Sequence, residues 1–293
     1  MIEEKSYINL FVELCKVKIT FFVAISTSVG YILHSGSLSW EMLIPALGVF
    51  ILASGSSALN EYQERDLDAI MERTKHRPIP SGLVSGNMAL GIAVILLVSG
   101  SAIIYFSSNL TSLLLGILAF VWYNLIYTPL KRRYAMAVVP GSLIGAIPPV
   151  IGWTASGGNP FDLQIITVAL FFFIWQIPHF WLLLLIHGND YATAGFPTLT
   201  KIFSKGQLSR ITFIWIVALA VSGLLIPIFN IASTIYSLIA MIIVSIWLLI
   251  DTKGILTHYL EKINFRRAFI SVNLYVLAII VIISIDKLLL NEF

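Results

Sequence analysis

Long apolar stretches recur along the whole chain, and short polar segments separate them. About 20 consecutive apolar residues are enough for an α-helix to cross a lipid bilayer. The pattern therefore predicts an all-α integral membrane protein with nine transmembrane helices. We place them near residues 15–34, 42–62, 87–107, 110–128, 135–154, 162–186, 210–229, 233–251 and 267–290.

The polar segments between the predicted helices alternate in charge. Those after the first, third, fifth and seventh helices contain no Lys or Arg, whereas the others hold or border 14 of the 18 basic residues. Lys5, Lys16 and Lys18 lie at the start of the chain, and only Lys287 falls elsewhere. Basic residues concentrate in cytoplasmic loops, so we expect a cytoplasmic N-terminus and an outside C-terminus. The N-terminus lacks the features of a signal or transit peptide. This favours the cytoplasmic (inner) membrane of a prokaryote.

The composition supports the same class. The chain is 58% hydrophobic and 11% charged, whereas a soluble domain carries about 25% charged residues. No polar stretch is long enough for a soluble domain, so we expect residues 1–293 to form a single polytopic membrane domain. The one cysteine, Cys15, rules out an intramolecular disulfide and a cysteine-built metal cluster. The net charge of +3 comes from the basic loops and does not indicate nucleic-acid binding.

The second predicted helix ends in a dense cluster of acidic residues. Five of the fifteen Asp and Glu residues lie between positions 61 and 72, where charge is costly unless it pairs, meets water or has a function. Asn60, Glu64 and Asp68 fall within about 80° of one helix face, because they are four residues apart. Glu61 extends this face and Asp66 points away from it. The alternative is a solvated helix end whose charges satisfy one another.

The residue types of this cluster indicate a metal and phosphate chemistry. Three oxygen-bearing side chains on one face suit Mg²⁺, which commonly bridges carboxylates to substrate phosphates. Arg73 and Arg77 follow, and their planar guanidinium groups match phosphate geometry. We therefore predict a metal–diphosphate site that opens to the cytoplasm beside an apolar chamber.

A second polar cluster lies at the end of the sixth predicted helix. If this helix continues, His179, His187 and Asp190 share one of its faces. A lone buried histidine more often bonds a neighbouring backbone carbonyl than a ligand. The presence of His187 and Asp190 on the same face favours a functional interpretation.

Several motifs together resemble the UbiA superfamily of intramembrane prenyltransferases. Its first acidic motif, Asn-Asp-x-x-Asp-x-x-x-Asp, reads here as Asn60-Glu61-x-x-Glu64-x-x-x-Asp68. The strings Trp-Gln-x-Pro-His-Phe at 175–180 and Asp-Tyr-x-x-Ala-Gly-x-Pro at 190–197 are similar to the haem O synthase branch. Quinone-type members carry a second group of carboxylates where this chain has only Asp190. The chain departs from the branch at Thr198, where methionine is expected.

The resemblance, which covers roughly residues 10 to 290, implies a fold, a reaction and roles for individual residues. It implies a UbiA-like bundle around a cytoplasm-facing cavity, with farnesyl diphosphate as donor and haem b (protohaem IX) as acceptor. Water addition would give haem O for terminal oxidase assembly. The lipid bilayer is the expected surrounding, and a haem A synthase or terminal oxidase is a candidate protein partner. The implied Mg²⁺ ligands and catalytic residues are Asn60, Glu64 and Asp68, with Asp190 for a second ion. The implied diphosphate-binding residues are Arg73, Arg77, Tyr127 and Lys131, and the haem-binding candidates are His179 and His187.

Two alternatives stay open on the sequence alone. A UbiA-type enzyme could prenylate a quinone precursor or another aromatic acceptor. A membrane transporter or a haem carrier without catalysis belongs to a different class. A transporter predicts internal repeats and polar residues along a whole pathway, and a carrier does not need the face formed by Asn60, Glu64 and Asp68.

Overall fold

The computed structural model describes residues 6–258 and 261–290. Within these ranges the chain is helical and contains no β-strand. Nine of the described helices are long and apolar enough to cross a membrane, which confirms the predicted number. In chain order, α1 to α9 span Val17–Ser35, Trp40–Asp68, Gly86–Ser107, Leu110–Leu130, Val138–Ala155, Leu163–Gly188, Lys205–Phe229, Ile235–Thr257 and Lys262–Leu289. The first five residues lie outside the described part, as do the side chains of Asn189 and Tyr191. These two residues belong to the segment 175–197, which holds both strings of the haem O synthase branch and is called the second motif below.

The helices pack in two groups that α1 joins. Helices α2 to α5 contact one another on one side, and α6 to α9 do so on the other. Helix α1 packs against α2 and α5 and also reaches α9, while α5 packs against α6. One apolar core lies in the first group, around Leu52 and Ile104, and a larger one, around Phe171 and Tyr275, lies in the second group and extends to α1 and α5. A site near α1 can therefore draw residues from both groups.

Helices α1 and α5 approach each other at backbone contact distance through glycines. A Cβ atom on Gly30 would lie 1.9 Å from the carbonyl oxygen of Pro149, and one on Gly152 would lie 1.8 Å from that of Thr27. Small residues permit such approach between membrane helices. A short N-terminal helix, Tyr7–Leu14, precedes α1 and packs Leu10 and Leu14 against the end of α2. These contacts hold the start of α1 beside the acidic end of α2.

Helix α2 runs six residues beyond the predicted apolar segment and includes the whole acidic cluster. Its described end is Asp68, whereas the hydrophobic pattern stops near residue 62. The helix continues because Asn60, Glu64 and Asp68 are buried against neighbouring elements rather than dissolved in water. The hydropathy pattern predicts only the part of α2 that crosses the bilayer. It does not predict the last six residues, because Glu64 and Asp68 there are buried by protein and not by lipid.

Helix α4 changes to a π-helix over Trp122–Tyr127, a distortion that is frequent at functional sites. In a π-helix each N–H bonds the carbonyl five residues earlier. Pro129 has no N–H, so the carbonyl of Asn124 lacks this donor and accepts a hydrogen bond from Gln63 Nε2 at 3.1 Å instead. The distortion thereby fastens α4 to α2.

Helix α6 contains Pro178 and loses helical geometry at His187, where φ is −119° and ψ is 16°. Helical structure then resumes and ends at Thr193. The expectation that one continuous helix puts His179, His187 and Asp190 on a common face is therefore wrong. A face defined at 100° per residue does not extend across a residue with non-helical dihedral angles.

Candidate active site

The three oxygen-bearing residues of the acidic motif are buried at the end of α2. Asn60, Glu64 and Asp68 are all buried, and the Asp68 side chain is 1% exposed. Asp66, only two residues away, is 87% exposed. This contrast agrees with the predicted helix face. The cluster is therefore not a solvated helix end, because its carboxylates are buried and buried carboxylates need partners.

Each of the two carboxylates has a cationic partner from a different part of the chain. Lys131 Nζ, after α4, lies 2.7 Å from Glu64 Oε2. Arg77 Nη1, in the segment after α2, lies 2.6 Å from Asp68 Oδ2. Two of the predicted diphosphate-binding residues are thus brought to the predicted metal-binding residues.

Asn60 connects the acidic face to α1 and α4. Its Oδ1 accepts hydrogen bonds from Lys16 Nζ at 2.8 Å and from the Tyr123 hydroxyl at 3.0 Å. Its Nδ2 donates to Glu64 Oε2 and to Thr128 Oγ1, both at 3.1 Å. Three of these contacts join α2 to other elements, and the contact with Glu64 joins neighbouring turns of α2. Asn60 therefore fixes the positions of a lysine and a tyrosine beside the carboxylates.

Lys16 and Tyr123 are site residues that the sequence pattern did not predict. In the sequence, Lys16 is one of the basic residues that indicate topology, and Tyr123 lies inside an apolar stretch. Lys16 adopts the left-handed conformation, φ 49° and ψ 46°, between the N-terminal helix and α1. That turn directs its side chain to Asn60. A positive φ at a residue other than Gly is uncommon, but no sequence signal announces it here.

Three cations, Lys16, Arg77 and Lys131, lie close enough together at the carboxylates to repel one another. Burial and then the positive charge of Arg77 lower the pKa of Lys16 to about 8, and the carboxylate of Glu64 opposes this shift. Lys131 adds to the repulsion. Three cations from three separate segments meet here. An anion with several oxygens would relieve their repulsion.

Two carboxylate oxygens at the site are available for further bonds. Glu64 Oε1 and Glu61 Oε2 are buried and have no hydrogen-bond partner among the described residues. No three His, Cys, Asp or Glu side chains of the described ranges are close enough together to hold a metal ion. The donors still fit Mg²⁺, which usually takes one or two protein carboxylates and completes its shell with water and substrate phosphate.

The segment after α2 folds back against the helix and presents Arg77. Glu61 Oε1 accepts a hydrogen bond from the backbone N–H of Ile79 at 3.1 Å. The Thr74 hydroxyl donates to the carbonyl oxygen of Asp68 at 3.0 Å. These two bonds fix the backbone on both sides of Arg77, so the guanidinium group stays at the carboxylate of Asp68.

The remaining predicted residues surround this centre at different distances. Tyr127 stacks on Tyr123, with ring centroids 6.1 Å apart, and Lys131 Nζ lies 5.4 Å from the Tyr127 ring centroid. Arg73 is exposed, and its positive charge interacts electrostatically with His187 of the second motif. Asp190 is half-buried and belongs to no metal-binding group of the described residues.

The first and second motifs are neighbours in space. Met71, just after the acidic cluster, packs with Ala194 and Phe196 of the second motif. His179 lies deeper in α6, and its Nδ1 is 2.9 Å from Asn273 Oδ1 on α9. The partner of Nδ1 is thus a side-chain oxygen and not the backbone carbonyl of the alternative interpretation. The second motif therefore contributes one part beside the acidic centre and one part within the bundle.

Comparisons with known proteins identify the family and the fold of the chain. The model of the UbiA prenyltransferase family matches residues 23–273. The "Protoheme IX farnesyltransferase" of Geobacter sulfurreducens is 42% identical over 206 residues, which are 70% of this chain and 76% of that protein. A solved structure described as a digeranylgeranylglyceryl phosphate synthase has a TM-score of 0.76 at 17% identity and covers 96% of this chain and 98% of its own. A UbiA homologue from Archaeoglobus fulgidus, bound to GPP and Mg²⁺, has a TM-score of 0.57 at 15% identity, covering 94% and 99%. The two structural matches establish a shared fold.

Proposed function

Because the chain belongs to the UbiA prenyltransferase family, we propose that it farnesylates haem b. In this proposal a farnesyl group passes from farnesyl diphosphate to a vinyl group of haem b, and water is added to give haem O. The observation that carries the proposal is the buried face of Asn60, Glu64 and Asp68, which meets Lys131 and Arg77. The names of relatives such as that of Geobacter sulfurreducens support haem b as the acceptor.

Family membership also bears on the alternatives. A prenyltransferase needs a site for a diphosphate leaving group, and the paired carboxylates and cations supply its elements. Neither a transporter nor a haem carrier without catalysis needs that arrangement. A quinone precursor or another aromatic compound remains the competing acceptor, and a direct assay of product formation distinguishes it from haem b.

We assign the Mg²⁺ site to Asn60, Glu64 and Asp68, with Asp190 as the candidate ligand of a second ion. When bound, Mg²⁺ would stabilise the negative charge that develops on the diphosphate as the C–O bond breaks. The unpaired Glu64 Oε1 supports this assignment, because it is a buried oxygen with no other described partner.

The cationic residues hold the leaving group in this proposal. Arg77 and Lys131 donate to the diphosphate oxygens from two sides, and Tyr127 and Arg73 complete the assigned set. Lys16 and Tyr123 join them, because both already contact Asn60. Donors fixed in place before the reaction stabilise charge without reorganising. The diphosphate therefore leaves as an anion held by several groups.

Carbon–carbon bond formation would take place in the apolar chamber beside this centre. Ionisation leaves an allylic farnesyl cation, and the π electrons of the haem vinyl group attack its terminal carbon. The resulting cation on the haem side chain takes up water and loses a proton, which yields a hydroxyethylfarnesyl group. The chamber has to keep water away until the new bond has formed.

The assay of this proposal uses the purified protein in detergent with haem b, farnesyl diphosphate and Mg²⁺. We expect a haem product that is heavier by one farnesyl group and one water, and we expect EDTA to abolish it. Mass spectrometry of the extracted haem provides the measurement. A folded protein that leaves haem b unchanged but prenylates an aromatic acid or quinone precursor would contradict the haem assignment.

We propose that the site faces the cytoplasm. The basic loops that support a cytoplasmic N-terminus are on the same side of the bundle as the acidic end of α2. Soluble farnesyl diphosphate would then reach the carboxylates from the cytoplasm, while its tail enters the bundle. We also propose a prokaryotic cytoplasmic membrane, one membrane domain over residues 1–293, and delivery of haem O to a terminal oxidase or haem A synthase.

A pH dependence should arise from Lys16. Its pKa, lowered to about 8, means that the ammonium group is charged below that pH and neutral above it. We expect kcat/KM for farnesyl diphosphate to fall as the pH rises through about 8, because kcat/KM reports the free enzyme. Lys16→Arg should remove this decline, since arginine stays protonated. Initial rates from about pH 7 to pH 9 test this, with Lys18→Arg, an exposed neighbour, as the control. Identical profiles for wild type and Lys16→Arg would contradict it.

A further inference from the structure

A hydrogen-bonded pair within the bundle links α6 to α9. His179 Nδ1 lies 2.9 Å from Asn273 Oδ1, although the two residues are 94 positions apart. Asn273 Nδ2 donates to the carbonyl oxygen of Phe269 at 2.6 Å. His179 precedes the end of α6 at Gly188 by nine residues, or about 14 Å at 1.5 Å per residue. The pair therefore lies well below the acidic centre.

These two bonds determine which nitrogen of His179 carries the proton. A backbone carbonyl only accepts hydrogen bonds, so the amide nitrogen of Asn273 has to face Phe269 and its oxygen has to face the imidazole. The oxygen only accepts, so Nδ1 of His179 has to donate. In a neutral ring Nε2 then has no proton and keeps a free lone pair. An unprotonated imidazole nitrogen is a ligand for iron.

The surroundings of His179 leave that lone pair unused and are largely aromatic. Among the described residues, the one hydrogen bond of the His179 ring is that of Nδ1 with Asn273. The rings of Trp175, Phe180 and Phe269 lie with centroids 5.2, 5.4 and 4.7 Å from the imidazole. Trp175 Nε1 is buried and likewise has no described partner. A planar apolar ligand with a metal centre fits an imidazole lone pair among aromatic faces.

We propose that Asn273 is a positioning residue that holds His179 in the Nδ1-protonated tautomer, so that Nε2 binds the iron of haem b. This inference rests on the proposed function, which makes haem b the acceptor. It selects iron ligation over a hydrogen bond to a haem propionate, because a carboxylate acceptor needs a donor and Nε2 of this tautomer has no proton. Partners that orient a metal-binding histidine also raise its basicity.

The test is spectroscopic and does not depend on turnover. Purified protein in detergent is given haem b, and the ferrous iron–histidine stretching band is recorded by resonance Raman spectroscopy. We expect His179→Gly to lose the band and added imidazole to restore it. Asn273→Asp should raise its frequency, because a carboxylate accepts a stronger hydrogen bond from Nδ1. Asn273→Leu should lower the frequency and weaken haem affinity about 10- to 100-fold.

His34 provides a matched control at the other end of α1. Its Nδ1 also lies 2.9 Å from a side-chain oxygen, that of Ser156, and its ring meets Trp153 at 4.9 Å. The Ser156 hydroxyl donates to the Trp153 carbonyl, so His34 is held in the same tautomer. His34→Gly should leave the band and its frequency unchanged.

The outcomes separate this inference from the proposed function. An iron–histidine band that survives in His179→Gly would overturn the inference. So would a band that keeps its frequency in both Asn273 variants. In either case, continued formation of haem O would leave the proposed function intact. A wild-type protein that binds no haem b overturns the proposed acceptor, and the ligation falls with it. Asn273→Asp preserves side-chain size, so it reports on the hydrogen bond even if the His179 variant does not fold.

Discussion

Asp68→Asn is expected to slow haem O formation by at least about 10²-fold, the usual effect of removing one group that stabilises developing charge. The substitution keeps the size of the side chain and removes its charge. It weakens the assigned Mg²⁺ site and takes away the ion pair with Arg77, whose Nη1 lies 2.6 Å from Asp68 Oδ2. The loss should fall mainly on kcat, and more Mg²⁺ should be needed for half-maximal rate.

Stability has to be measured beside activity for this variant. Breaking a buried ion pair from one side costs about 3–5 kcal/mol, because the other charge stays unpaired. The Arg77 side chain is 25% exposed, so water offsets part of that cost. We therefore expect a lower thermal midpoint but a folded protein. Haem O formed per minute is compared only between samples that elute as the same species and still melt cooperatively.

Asp66→Asn is the matched control. Asp66 is in the same helix turn and carries the same charge, but its side chain is 87% exposed and points away from the site. Its rate and Mg²⁺ requirement should stay within about twofold of wild type, as surface substitutions change little. Equal losses of rate in both variants would mean that the total negative charge at this helix end determines activity, rather than the position of Asp68 on the buried face. A fully active Asp68→Asn would remove Asp68 from the metal site.

Lys131→Met should raise KM for farnesyl diphosphate by about 10- to 100-fold. Lys131 Nζ is 2.7 Å from Glu64 and 5.4 Å from the Tyr127 ring, so its ammonium group is held in the site before substrate binds. Loss of a hydrogen bond to a charged group costs about 1.5–3 kcal/mol, and each 1.4 kcal/mol is a factor of ten in affinity. Methionine keeps the length of the side chain. Steady-state rates at saturating haem b measure the effect, and the haem absorption spectrum should not change.

A second variant distinguishes lost substrate binding from damage to the site. Lys131→Met leaves the buried Glu64 carboxylate without its cation, so the double variant with Glu64→Gln should regain thermal stability. It should not regain low KM, because the ammonium group is still missing and an assigned Mg²⁺ ligand has also been replaced. Arg133→Met, an exposed basic neighbour, is the control and should bind farnesyl diphosphate like wild type. If it weakens binding as much as Lys131→Met does, the basic loop acts through its summed charge.

The number of spans and the first acidic face follow from the sequence because each depends on local periodicity. A membrane helix has to be apolar over its length, so hydropathy alone predicts the nine spans that the described ranges contain. Residues four apart share a helix face, so Asn60, Glu64 and Asp68 are recognisable as one group. The resemblance to the family motif points to the same residues, and the family model matches residues 23–273.

Only the tertiary structure decided which residues from elsewhere join that face. Lys16 and Tyr123 meet Asn60 from 44 and 63 positions away, and Asn273 meets His179 from 94. Such partners depend on how α1, α4 and α9 pack, and on a left-handed residue and a π-helix that break regular periodicity. The non-helical His187 likewise ended the face expected along α6. Helix periodicity determines what lies together within one helix, whereas contacts between helices depend on their packing, which no spacing along the chain records.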